Sequence, residues 1–167
     1  MKYSILFFII TFLGCSPSNR SQLKNHQIET IDQLISNWHQ DAANANLGGY
    51  MRLMDSSFVY VGTDASEKWT KDEFSTFCKP YFDQNKTWDF KSIDRTINIS
   101  ADQNSAWFYE ILQTHMGTCR GSGILELKNK QWKLRQYVLS LAIPNEKMSE
   151  VKKLIYHNDS IFQSNYK

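Results

Sequence analysis

A chain of 167 residues that is 41% hydrophobic can bury a core without staples, and its length suits one domain rather than two. A formal charge of only +2, with no block of Lys or Arg, excludes nucleic acid as a partner. The aromatic share of 14% is high, and that many rings demand a wide core, a partner surface or a pocket.

In chain order, Met1-Lys2 is followed by YSILFFIITFLG, an apolar run too short to span a bilayer and shaped like a secretory signal. It ends at Phe12-Leu13-Gly14-Cys15, which resembles a bacterial lipobox. The resemblance implies that small Gly14 admits the peptidase and that Cys15 becomes the acylated N-terminus; Phe12 is bulkier than the usual aliphatic residue. Residues 1–14 are therefore expected to form a lipoprotein signal peptide, and the polar, Pro- and Ser-containing residues 15–25 a flexible tether. An ordinary signal peptide with an incidental cysteine is the alternative. Ser16 is not the Asp that favours inner-membrane retention, so the expected address is the cell envelope, anchored by lipid at the outer membrane. Such an anchor is lasting, since each buried methylene adds about 0.8 kcal/mol. That compartment permits disulfides, yet Cys78 near a helix end and Cys119 in a turn read as two separate thiols. No CxxC or Cys/His cluster marks a metal site, and no cofactor is expected.

From His26 to about Ala45, Ile28, Ile31, Leu34, Ile35, Trp38 and Ala42 fall at helical spacing on one face. Gly48-Gly49 should break the chain before a short helix at YMRLM. The run DSSFVYVGTDASEKW reads as strand and turn, and KDEFSTFC as a third helix stopped near Lys79-Pro80. Between Trp88 and Ile99 the apolar parity slips, from Trp88 and Phe90 to Ile93, Ile97 and Ile99. A bulge near Lys91-Ser92 would restore all five to one face and bend the strand. Three strands follow within Ala106–Pro144, joined by the turn signals GTCRG and NKQ, and they can only form an antiparallel meander. Neither face of the first or last of them is plainly polar, so both sides should be covered, one by helices and the other by a second copy of the chain. Met148, Val151, Leu154 and Ile155 predict a short closing helix before a loose tail.

This order resembles that of the SnoaL-like, or nuclear transport factor 2-like, domains. The resemblance spans about Ile28 to Pro144 and rests on Asp55–Asp64 (DSSFVYVGTD), Glu67, Trp69, Ala106-Trp107 and the stretch from Trp132 to Ser140. It implies an α+β fold in which a curved antiparallel sheet wraps round the long N-terminal helix to leave a conical cavity. The domain is expected over residues 26–145, with 146–167 as helix and tail. Such domains include isomerases, cyclases, dehydratases, hydrolases and non-catalytic binders, so the fold does not fix function. Relatives commonly carry a His two residues before the serine matching Ser140; here Val138 stands there, and chemistry resting on that imidazole is not available.

Glu110, flanked by Phe108 and Leu112, is the best candidate for a cavity carboxylate, whose pKa would then be raised for work as a base. Its bland alternative is a rim ion pair with a cross-strand Arg or Lys, such as Arg120 or Arg135. His115, five positions on, points to the opposite face, and His39 reads as a surface or capping histidine. Asp64 and Glu67 lie in a turn near the expected mouth, where they could meet a cation, although turn acids usually serve the turn itself. Tyr50, Tyr60, Tyr109 and Tyr137 each offer a phenol that could pair with Glu110, Tyr60 first among them, although such tyrosines are usually core residues with a satisfied hydroxyl. With no convincing catalytic pair, the leading expectation is a binder of a small apolar or amphipathic molecule. Trp38, Tyr60, Trp69, Phe77, Tyr81 and Trp88 would line its cavity, together with Glu110 and Gln136. A cofactor-independent enzyme using Glu110 and an assembly module with a filled cone are the alternatives.

Overall fold

The computed structural model describes residues 17–166, with side chains described from residue 21 onward, so the expectations for residues 1–14 and for Cys15 lie outside the described residues. Its elements run α1 (Pro17–Ala43), α2 (Leu47–Leu53), β1 (Met54–Val61), β2 (Lys68–Thr70), α3 (Lys71–Asp83), β3 (Lys91–Ile99), β4 (Ser105–Thr114), β5 (Gly117–Lys128), β6 (Gln131–Leu141) and α4 (Met148–Ser164). The six strands form one sheet in the order β2-β1-β6-β5-β4-β3. This is the expected α+β arrangement, with one refinement. The long connection through α3, β3, β4 and β5 brings β6 back beside β1 in parallel, while every other pair is antiparallel.

Helix α1 starts well before His26, so the polar stretch from Pro17, expected as tether, is helical. Its stripe of Ile31, Ile35, Trp38 and Ala42 is buried against the sheet, as its spacing predicts. The break after α1 falls at Ala45, which is left-handed (φ 54), and Gly48-Gly49 sit inside α2, which Asn46 caps from the N-terminal side. Thr70 and Glu73 form a capping box at the start of α3. That helix runs past Pro80 to Asp83, further than the proline suggests. The lost turn bond is offset by Phe82, which is buried and packs 5.5 Å from both Tyr50 and Trp88.

The bulge in β3 is real and lies between Ser92 and Asp94. Past it, Arg95, Ile97 and Ile99 oppose the inward residues Glu110, Phe108 and Ala106. Ile93 is the extra residue and stands 64% exposed, so the bulge does not bring it inside. The turn into β5 is tighter than GTCRG implies. Thr118–Gly121 already pair with β4, and left-handed Gly117 (φ 101) makes the corner. Asn129 and Lys130, both left-handed, form the two-residue hairpin turn into β6.

At the start of β1, buried Asp55 ties β1 to the β5–β6 hairpin. Its carboxylate accepts the Ser57 N–H at 3.0 Å, Lys128 Nζ at 2.9 Å and Arg135 Nη1 at 2.7 Å. The Ser57 N–H first, then Lys128, hold its carboxyl well below the usual range. Helix α4 is longer than expected, and no residue on it is buried. Cys78 and Cys119 are both buried and free, and burial pushes the Cys78 thiol up to about 12.

Candidate functional site

Two arrangements in the cone could carry chemistry, and they do not coincide. The first is a buried polar clasp around Glu110, whose side chain is fully inaccessible. Its Oε1 accepts His39 Nε2–H at 2.8 Å and the Tyr137 hydroxyl at 3.0 Å, while its Oε2 accepts Arg95 Nε–H at 2.9 Å. An ionised carboxylate can only accept, so His39 Nε2 carries the proton. Arg95, 5% exposed, reaches on from β3 to α1, donating through Nη1 to Asp32 Oδ1 (2.7 Å) and Ser36 Oγ (2.9 Å). Its Nη2 also lies 2.9 Å from Glu110 Oε2, but no hydrogen bond is aligned there.

The clasp therefore joins α1, β3, β4 and β6 at one point. Gly121 on β5 faces Glu110, and a Cβ there would run into the Tyr137 hydroxyl and Glu110 Cγ. Only glycine leaves room for the bond between them. Burial pushes the Glu110 carboxyl up, but the His39 hydrogen bond, then the charges of His39 and Arg95, outweigh it and leave the carboxyl below its ordinary value. This reverses the raised value expected from its apolar strand neighbours. Burial and the Glu110 charge push the Tyr137 phenol far up, so it remains a neutral donor. Inaccessible and fully paired, Glu110 is a poor base; its partners His39 and Arg95, not the carboxylate, line an outer cleft of about 500 Å³. The clasp holds the sheet to the helix.

The second arrangement is a cleft of about 260 Å³ at the mouth of the cone. Tyr60, Trp69, Phe77, Tyr81 and Trp88 line it, and Glu67 and His115 share its wall. The rings form a chain of contacts: Trp69 stacks on Phe77 (4.7 Å), Phe77 lies 5.3 Å from Tyr81, and Tyr81 6.4 Å from Trp88. Helix α3 supplies Phe77 and Tyr81 at a spacing of four, one turn apart on one face. The β1–β2 hairpin supplies Tyr60 and Trp69, which are register partners.

Three of the expected lining residues lie elsewhere. Trp38 is deep in the core, 1% exposed, stacked on Tyr50 at 4.9 Å. Glu110 is in the clasp. Gln136 faces outward, beside Trp107 and Ile124, because β6 slips register between Leu134 and Gln136 and so turns Tyr137 and Leu139 inward. Of the four candidate phenols it is Tyr137, not Tyr60, that meets Glu110. Glu110 does pair with a cross-strand arginine, but it is its register partner Arg95, buried rather than at a rim; Arg120 stands opposite Ile111 and Arg135 binds Asp55.

Sequence reasoning missed His39 and Arg95. His39 stands one turn after buried Ile35, at the edge of the apolar stripe, and it is buried rather than at the surface. Arg95 keeps the inward parity of Ile97 and Ile99. Either pattern could have flagged them as buried polar partners for an inward glutamate. Among the described residues, no group of three or more His, Cys, Asp or Glu is placed to hold a metal ion, and no helix is long and apolar enough to cross a membrane.

Solved structures share this architecture. A nuclear transport factor 2-like protein of unknown function from Pseudomonas putida aligns over 71% of this chain and 89% of its own, with TM-score 0.61 at 13% identity. One from Cytophaga hutchinsonii aligns over 70% and 98%, with TM-score 0.59 at 13% identity. A proposed dehydratase of the same fold family from Streptomyces avermitilis aligns over 72% and 99%, with TM-score 0.62 at 9% identity. At such identities the likeness concerns the fold alone. No curated protein matches the sequence. The SnoaL-like domain family matches residues 31–144, the whole span from the middle of α1 to the end of the sheet, and the chain belongs to that family.

Proposed function

We propose that this protein is a cell-envelope lipoprotein whose SnoaL-like domain binds a small apolar or amphipathic molecule in the mouth cleft. The observation that supports this most is the ring-lined cleft itself, open at the rim of a cone whose interior is otherwise filled by side chains such as Trp38, Tyr50, Phe74 and Tyr137. An enzyme using Glu110 would need that carboxylate to face the cleft, and it faces the clasp instead.

A neutral fluorescent probe, N-phenylnaphthylamine, tests the reading. Its emission should rise on binding, and Trp69→Ala with Phe77→Ala should weaken binding by about tenfold, because two ring faces are lost from the wall. Trp107→Ala, on the outer face of the sheet, should leave binding unchanged. Equal affinity in the cleft double variant and the parent would sink the proposal.

The protein acts as a homodimer through that outer face, where Trp107, Tyr109 and Ile124 are 43–48% exposed on adjacent strands. Light scattering at micromolar concentration should report twice the monomer mass, and Trp107→Lys should restore the monomer mass; a parent that is monomeric throughout sinks this part. The lipid anchor at Cys15 is read directly from the mass of the mature N-terminal peptide.

A further inference from the structure

The mouth cleft contains a carboxylate that its own chain leaves without a counter-charge. Glu67 is half-buried in the cleft wall. Its Oε2 accepts the Asp64 N–H at 3.1 Å; among the described residues its Oε1 takes no hydrogen bond, and no Lys, Arg or His forms an ion pair with it. Asp64, by contrast, is spent on the turn, accepting the Ser66 N–H at 2.8 Å. Neither Lys nor Arg lines the cleft; His115, stacked on Phe90 at 6.4 Å, is its one basic side chain. Gly62 helps fix the glutamate, since a Cβ at that position would run into Glu67 Oε2.

The same wall carries the arc of Trp69, Phe77, Tyr81 and Trp88. An uncharged guest filling the cleft would strip water from Glu67 and return nothing. A cation supplies the missing counter-charge, and the negative faces of the rings attract it as well. A bare ammonium is too strongly hydrated to leave water for an apolar wall, whereas an alkylated one sheds its water readily.

We propose that the cleft takes a small organic cation, an alkylated ammonium group seated on the faces of Trp69, Phe77, Tyr81 and Trp88 with Glu67 as its counter-ion. This rests on the reading of the mouth cleft as a ligand site and names the charge that the site selects.

The experiment compares choline with its neutral carbon isostere, in which a tert-butyl group replaces the trimethylammonium, by calorimetry and by the indole N–H resonances of the full chain. Choline is expected to bind about tenfold more tightly than the isostere and to shift the Trp69 and Trp88 signals. Glu67→Gln keeps the hydrogen bond to Asp64 and should remove that advantage, weakening choline while the isostere, no longer desolvating a charge, binds more tightly. Gly62→Ala, which displaces the carboxylate without deleting it, should act in the same direction. Isostere binding as tightly as choline overturns the cation assignment while the apolar reading stands. Binding of neither compound, in protein that still takes up N-phenylnaphthylamine, also overturns it. Failure of that neutral dye to bind the cleft removes the underlying reading instead.

Discussion

Replacing Glu110 by alanine is expected to lower the unfolding free energy by about 3–5 kcal/mol in urea titrations. The loss would not come from deleting one attractive pair. It would come from leaving Arg95 Nε–H, His39 Nε2–H and the Tyr137 hydroxyl buried without their acceptor, while Arg95 keeps Asp32 and Ser36 through Nη1. For a domain of this length such a loss corresponds to a fall in melting temperature of about 10 °C or more. Glu110→Gln should cost less, because an amide oxygen still accepts one or two of those donors, although the Arg95 charge loses its buried counter-ion and keeps only the exposed Asp32. The pH dependence has a definite sign. The Glu110 carboxyl is lower in the folded chain than in the unfolded one, so its contribution is fully present above the ordinary carboxylate value of about 4.3 and is lost as pH falls below it. Asp55 has the same sign and adds to the acid sensitivity. Parent and Glu110→Gln stabilities should therefore converge on acidification. A Glu110→Ala loss below about 1 kcal/mol would show that the clasp is incidental. Binding of N-phenylnaphthylamine should survive in Glu110→Gln, since the clasp and the cleft are separate.

What could be read from the residues, and what could not, divides along one physical line. The apolar stripe of α1, the bulge in β3 and the late meander were legible because burial imposes a period, and a period survives in sequence. The cleft rings were legible for a related reason: aromatic residues crowd α3 and the β1–β2 hairpin beyond what those elements can bury alone. The clasp was only half legible. Glu110 announced itself through its neighbours, but its partners come from three other elements, 15, 27 and 71 residues away, and no local pattern ties them together. Gln136 was misplaced by the converse problem. A register slip opposite Ile124 and Leu125 inverts the parity of the second half of β6, and alternation alone cannot show where such a slip falls. The parallel β1–β6 pair was hidden in the same way, because its partners are some eighty residues apart.

Trp38→Ala is expected to destabilise the chain by about 3–5 kcal/mol, comparable with loss of the clasp but through a different cause. The indole fills the middle of the cone: it stacks on Tyr50 at 4.9 Å with planes 8° apart, and it meets Tyr137 edge-on at 4.8 Å. Removing it would leave a void bounded by rings held on α2 and β6, which cannot both collapse inward without distorting the sheet. Trp38→Phe should cost only about 1–2 kcal/mol. It keeps an aromatic face for Tyr50, and the indole N–H that it discards finds no hydrogen-bond partner among the described residues. The pair of variants also decides whether the interior of the cone is scaffold or site. If Trp38 belonged to the ligand-binding wall, Trp38→Phe would change affinity for N-phenylnaphthylamine while sparing stability. With Trp38 enclosed and the guest held at the rim, affinity should stay at the parent value in Trp38→Phe. The void in Trp38→Ala, lined by rings and dry, should then admit a second, purely apolar guest such as benzene without displacing the first.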